Sequence, residues 1–239
     1  MSNNPPIPDV IVTRSGRILS TLNWLRAGVL GANDGIVSTA AIIFGVAGAS
    51  ASHSTIMLAG IAAVAAGALS MAAGEYVSVS SQRDLEVAEL ARAKADLVRD
   101  PERQLQLLAR LFEQRGVQPQ MAIEVSRQMS AKDALSVHAR AELGLDPEAV
   151  TNPWAAAFAS MIAFTVGGVI PIVSMVLATR AAEIWITGAA VVLAMALTGA
   201  ASAKFGNIPL IPSVIRNVAG GLLAMAVTYG VGNIVGTLL

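Results

Sequence analysis

The chain has no cysteine. Disulfides, thiolate-held zinc, iron–sulfur clusters and a cysteine nucleophile are therefore excluded. Aromatic residues are only 4% and charged residues 13%, where a soluble domain carries roughly a quarter charged residues. Histidine occurs twice, at His53 and His138. Neither has a glutamate three residues before it, which removes the Glu-x-x-His pairs of a ferritin-like oxidase centre. Phosphate-binding glycine loops, zinc spacings and nucleophile elbows are missing too, so the chain does not read as an enzyme and calls for no tightly bound cofactor. Sixteen basic residues balance sixteen acidic ones, and nothing points to a nucleic-acid partner.

What is present is apolar. Hydrophobic residues make up 54% of 239, and the mean hydropathy is +0.63. This composition excludes a disordered chain and predicts an all-α integral membrane protein. Alanine and glycine dominate the apolar runs, and small residues let membrane helices approach closely.

The charges sort into blocks. Residues 1–20 are polar and proline-rich, read as a flexible arm with Arg14 and Arg17. No small-residue cleavage site follows a short apolar core, so this arm is not a signal peptide. Apolar runs follow at about 22–50, 54–79, 154–179, 184–203 and 209–239. Each is long enough to cross a hydrocarbon core of roughly 30 Å. Five transmembrane helices are expected, with helices 1–2 within 21–79 and helices 3–5 within 151–239. Residues 80–150 form a charged insert holding ten Lys and Arg, from Arg83 to Arg140. The first loop, Ala49 to Thr55, has none, and His53 is expected there. Arg180 alone marks the link after crossing three, and Lys204 that after crossing four. The alternation predicts a cytoplasmic N-terminus and insert, and a C-terminus outside.

The insert reads as helical. Ser80–Val98 has no Gly or Pro and follows crossing two without a breaker. Asp100 caps a helix opening at Pro101 and ended by Gly116. Pro119 opens another, and Ser130 is expected to cap a last one closed by Gly144.

Three polar side chains interrupt the crossings. Asp34 lies about midway along the first, in Gly31-Ala-Asn-Asp-Gly35. A carboxylate at that depth is costly and marks an ion path, and the flanking glycines permit a broken helix. The alternative is an Asp34 paired with Arg26 or capping a half-helix. Met71 and Glu75 are four apart and share one helix face. Thioether and carboxylate together suit a borderline metal such as Fe²⁺. Alternatively, Met71 fills space and Glu75 sits partly wet at the membrane boundary. Gly167, Gly168 and Pro171 predict a kink or a close backbone contact in crossing three.

Several stretches resemble the vacuolar iron transporter (VIT, CCC1-like) family. They are Gly31-Ala-Asn-Asp-Gly-Ile-Val-Ser38, Ser70-Met-Ala-Ala-Gly-Glu-Tyr-Val-Ser78 continuing to Asp84, His138 to Leu145, and Asn152-Pro-Trp154. They stand in the family's order, and the likeness covers about residues 22–237. The resemblance implies a homodimer in a lipid bilayer, each subunit with five membrane helices and a cytoplasmic metal-binding domain. It implies export of Fe²⁺, often Mn²⁺, from the cytosol in exchange for protons, across a bacterial-type inner membrane or a vacuole-like membrane. Asp34 and Met71 match positions lining the path near the dimer axis, and Glu75 lies in the same motif.

One departure stands out. Many relatives carry metal-collecting glutamates on the first two cytoplasmic helices, and the matching positions here are Ala93, Asp96, Gln104 and Leu107. Only Asp96 stays acidic, so the metal-binding domain is depleted. Glu142 matches a further ligand, with His138 one turn earlier. Glu86 and Glu89 are spaced as ligands, or as a solvated face with Arg83 and Arg92. The expected function is thus a proton-coupled Fe²⁺/Mn²⁺ exporter. The rival is a non-transporting membrane scaffold or metal-responsive binding protein.

Overall fold

The computed structural model describes residues 10–147 and 151–238, with side chains from Gly28 onward. Most of the expected arm's first half, and the side chains of Arg14, Arg17 and Arg26, lie outside the described residues. The backbone is helical from Val10, so the first helix starts well before the apolar run does.

Seven α-helices are found among the described residues. They are α1 (Val10–Gly48), α2 (His53–Arg99), α3 (Pro101–Gln114), α4 (Pro119–His138), α5 (Pro153–Leu177), α6 (Glu183–Gly206) and α7 (Leu210–Leu238). A π-helical turn, Ala139–Leu143, follows α4. Five helices are long and apolar enough to span a membrane: α1 over Gly28–Gly48, α2, α5, α6 and α7. The protein is thus an all-helical, multi-pass membrane protein.

Local chemistry sets the helix ends. Ser52 precedes α2, and its Oγ accepts from the Thr55 amide at 3.3 Å, satisfying one of the donors a first turn leaves open. Between His53 and Arg99 there is no proline, so α2 runs on until Asp100, whose conformation Pro101 pushes out of the helical region. Asp100 then caps α3 by accepting from the Arg103 amide at 3.1 Å, as the sequence predicts. Asn152 does the same for α5, accepting from Trp154 N at 3.1 Å.

One cap falls elsewhere than expected. The chain breaks helical geometry at Asp133, with φ −159° and ψ 90°. Its Oδ1 accepts from the Ser136 amide at 3.0 Å. Asp133, not Ser130, starts the last segment, because aspartate caps as strongly as serine and only Asp133 takes the extended backbone a cap needs. Gly144 closes that segment in the left-handed region, φ 67°, where a side chain would be strained.

The chain divides into two compact units, one comprising the residues up to Glu75 with Ala155–Leu239, the other Tyr76–Trp154. In the first, the membrane bundle, α1 packs on α6 and α7, which also pack on each other. Ile36 and Ala40 of α1 meet Val191, Ala194 and Met195 of α6 and Met225 of α7. Ile43, Ile56 and Met175 form a second cluster. Packing is close because side chains are missing where backbones meet: a Cβ on Gly232 of α7 would strike the Gly45 carbonyl of α1. No span has more than 33% of its central window buried within the chain. The rest is an apolar surface suited to lipid or to another copy.

The second unit is built as in water. α3 buries Leu108 and Ala109, and α4 with its π-turn buries Ala122, Ser126, His138 and Ala139. Its opposite faces carry the charges.

Candidate functional site

Asp34 sits on α1, and α1 is unbroken across it. The helix break that the flanking glycines permit is absent. Those glycines serve packing instead. A Cβ at Gly31 would lie 3.0 Å from Ala163 Cβ, and one at Gly35 would strike the Phe164 carbonyl. A Cβ at Gly167 of α5 would strike the Ala32 carbonyl in return. Of the two expectations for crossing three, the close contact is the one observed: α5 stays helical through Pro171.

This packing orients the motif. Gly31, Ala32 and Gly35 meet α5, Asn33 reaches α6, and Asp34 is left on an exposed face. Ser38 Oγ, one turn on, donates to the Asp34 backbone carbonyl. Among the described residues, no hydrogen bond or ion pair engages the Asp34 carboxylate. A half-helix cap is thereby ruled out, and a pairing with Arg26 falls outside the described side chains.

Met71 and Glu75 lie on α2, both half-buried. Glu75 also has no side-chain partner among the described residues. No three His, Asp or Glu side chains converge on one point among those residues. The two membrane carboxylates and the thioether therefore belong to no closed cage of three or more acidic or imidazole ligands among the described residues.

Sequence reasoning missed a polar cluster beside this motif. Thr198 Oγ1 shares its one proton between Asn33 Oδ1 at 3.4 Å and the Met195 carbonyl at 3.1 Å. Asn217 Nδ2 of α7 donates to Thr198 Oγ1 at 2.9 Å and to the same carbonyl at 2.7 Å. Ser213 Oγ, one turn earlier on α7, donates to Gly199 O at 3.0 Å and is buried. The signal was present as uncharged polar residues inside apolar runs, but attention to charge passed over them.

A second missed contact joins His53 to Glu183. His53 is the first residue of α2 rather than a loop residue, and its Nδ1 lies 2.7 Å from Glu183 Oε2 in the first turn of α6. The two are 130 positions apart, so no local pattern could announce the pair.

In the inserted unit the candidate ligands are already occupied. Both Glu86 carboxylate oxygens accept from Thr151 Oγ1, at 3.0 and 2.9 Å, and Gln82 donates to one of them. Glu89 pairs with Arg92 at 2.7 Å, and Asp96 with Arg99 at 2.6 Å. His138 and Glu142 are brought together: Nδ1 lies 2.7 Å from Oε1. The His138 ring is buried, and its Nε2 has no partner. A carboxylate holding one imidazole nitrogen leaves the other free as a metal donor, the usual arrangement behind a histidine ligand. In the same unit, the Tyr76 and Trp154 rings pack with centres 4.7 Å apart, tilted by 49°.

Comparison with known proteins adds four findings. The sequence profile of the VIT family matches residues 25–233. A protein named vacuolar iron transporter, from Acanthamoeba castellanii, is 46% identical over 216 residues, covering 90% of this chain and 79% of that one. Vacuolar iron transporter homolog 4 of Arabidopsis thaliana is 32% identical over 215 residues, covering 90% and 85%. Vacuolar iron transporter homolog 1 of Oryza sativa subsp. japonica is 34% identical over 209 residues, covering 87% and 72%.

Proposed function

The chain belongs to the VIT family, a family of transporters rather than enzymes, and from that premise we propose that it carries Fe²⁺, and Mn²⁺ with it, out of the cytosol in exchange for protons. The observation that carries this reading is the Asp34 carboxylate: exposed on a membrane helix, with no partner among the described residues. A charge facing lipid is costly by several kcal/mol. It persists where a cation or a proton neutralises it.

The mechanism follows from the donor set. Ionised Asp34 and Glu75 attract a divalent cation, and Met71, one turn from Glu75, supplies a soft donor that favours Fe²⁺ over Mg²⁺ or Ca²⁺. Release leaves the carboxylates free to take up protons from an acidic far side. Return of the protonated form to the cytosolic side and loss of its protons there completes an exchange. Acidifying the cytosolic side should weaken loading, because a protonated carboxyl is a poor metal ligand.

A homodimer fits the same observation. A second copy covers the exposed Asp34 face and brings an equivalent carboxylate to the symmetry axis. Two such acids match one divalent charge. The distribution of Lys and Arg supports a cytosolic N-terminus and insert. In that insert, His138 is a capture point through its free Nε2, with Glu142 holding Nδ1 or turning to the metal on loading, and Glu86, Glu89 and Asp96 are outer acids that give up their present partners.

Purified protein in liposomes tests the reading: Fe²⁺ and Mn²⁺ flux is measured with and without a pH gradient. Gradient-stimulated flux that Asp34→Ala abolishes is expected. Full activity in Asp34→Ala would overturn it. The rival reading, a non-transporting scaffold or metal-responsive protein, draws on the occupied acids of the insert. It predicts dimers with no flux under any gradient.

A further inference from the structure

We propose that Thr198 and Asn217 are positioning residues for ion binding at Asp34: they fix the rotation of α1 so that the carboxylate faces the ion path. The proposal rests on Asp34 being the ion ligand.

The geometry is a chain of hydrogen bonds across three helices. It starts on α7 with Asn217 Nδ2, which grips both the Met195 carbonyl at 2.7 Å and Thr198 Oγ1 at 2.9 Å on α6. It ends on α1, where Thr198 Oγ1 donates to Asn33 Oδ1 at 3.4 Å. One turn away, Ser213 binds the Gly199 carbonyl at 3.0 Å. There the backbones are so close that a Cβ on Gly199 would lie 3.0 Å from Val214 Cα. The α6–α7 pair is thus a firm base, and Asn33 is where a side-chain hydrogen bond joins α1 to it.

Asn33 immediately precedes Asp34. Successive residues of an α-helix point about 100° apart around the axis. Holding Asn33 towards α6 therefore sets the direction of Asp34, and the close approach of Gly31, Gly35 and Gly167 leaves α1 little freedom to roll towards α5. Without the tie, the apolar contacts of Ile36 and Ala40 still hold α1 in the bundle. They resist separation but are non-directional, and a small roll changes them little. A roll would, however, swing the carboxylate.

Stability alone is a poor reason for these side chains. Hydrogen bonds between membrane helices contribute modestly, because the inserted but unpacked chain also finds partners. Replacing both partners of such a bond by apolar groups of the same shape is often near neutral. The polar chain thus adds a directional constraint on the α6 side to the glycine contacts that set α1 against α5.

The test is Mn²⁺ transport into liposomes by Thr198→Val, Thr198→Ser and Asn217→Leu, with melting temperature and elution profile measured in parallel. The expected result is a rise of about 5–10-fold in KM for Mn²⁺ in Thr198→Val and Asn217→Leu. Melting should stay near that of the unaltered protein, and Thr198→Ser should behave as the unaltered protein. Thr198→Val is nearly isosteric and keeps the test decisive should Asn217→Leu fail to fold. Kinetics within twofold of the unaltered protein, or a defect in Thr198→Ser equal to that in Thr198→Val, would overturn the positioning role. So would a loss that only tracks lowered melting. Asp34→Ala runs alongside: full flux there defeats the ligand reading beneath, whereas an inactive Asp34→Ala with unaffected Thr198→Val defeats the positioning role alone.

Discussion

The two units treat acidic side chains in opposite ways. In the inserted unit, Glu89, Asp96 and Glu124 each meet an arginine three residues on, and Asp100 and Asp133 cap helices. Water would have solvated these groups anyway, so the pairs are inexpensive and nearly interchangeable. In the membrane bundle, Asp34 and Glu75 have no partner among the described residues, although leaving a carboxylate unsatisfied is far more costly there. The lesson concerns where function is written. An acid neutralised by its neighbours says little. An acid left alone where neutralisation is most needed is the one that calls for a functional explanation.

The contrast can be broken most completely through packing. Gly167→Leu forces a side chain into the Ala32 carbonyl, and no folded, monodisperse protein is expected. Gly74→Leu, which meets open space within 4 Å, should elute normally in detergent. If both elute alike, the close α1–α5 approach is not what shapes the site. Next in size, Asp34→Ala should lower metal flux by about 100-fold or more, on the order of 3 kcal/mol at the rate-limiting step, with the protein still folded. Parallel flux assays should find Glu124→Gln, whose carboxylate pairs with the exposed Arg127, within twofold of the parent.

A smaller effect sharpens the inserted unit's side of the comparison. Asp133→Ala removes a helix cap and should destabilise the segment beyond it by about 1 kcal/mol, seen as faster amide exchange at Ser136. The smallest concerns the surface pair itself. Glu89→Gln should change stability by about 0.3 kcal/mol at most, because Arg92 and Glu89 are 72% and 41% exposed and salt screens such pairs. A loss above about 1.5 kcal/mol would show that these pairs are more than surface pairs.

Much of this was legible beforehand, for identifiable reasons. The spans were readable because lipid tolerates few charges over twenty residues, so their ends carry Arg180, Glu183 and Lys204. Asp100, Gly116 and Gly144 marked helix ends because caps and left-handed turns draw on few residue types. Gly31 and Gly35 misled. Glycine permits both a broken helix and a close crossing, and only the position of α5 decides between them. Ser130 misled likewise, since Asp133 three residues later caps equally well. What stayed hidden was long-range: His53 with Glu183, Thr151 with Glu86, and Asn33 with Thr198 and Asn217. No periodicity links residues that meet only after the helices have packed.

The seam between α1 and α7 also sets an order of events. α1 leaves the ribosome first of the five spans, and α7 last. Yet α7 is the wall that α1 leans on, with Gly232 seated against the Gly45 carbonyl. During synthesis α1 must wait in the bilayer, its Gly45 backbone face uncovered, until the final span arrives. This seam therefore closes only once α7 has been made, and a ribosome that stalls before α7 leaves α1 without the wall it packs on.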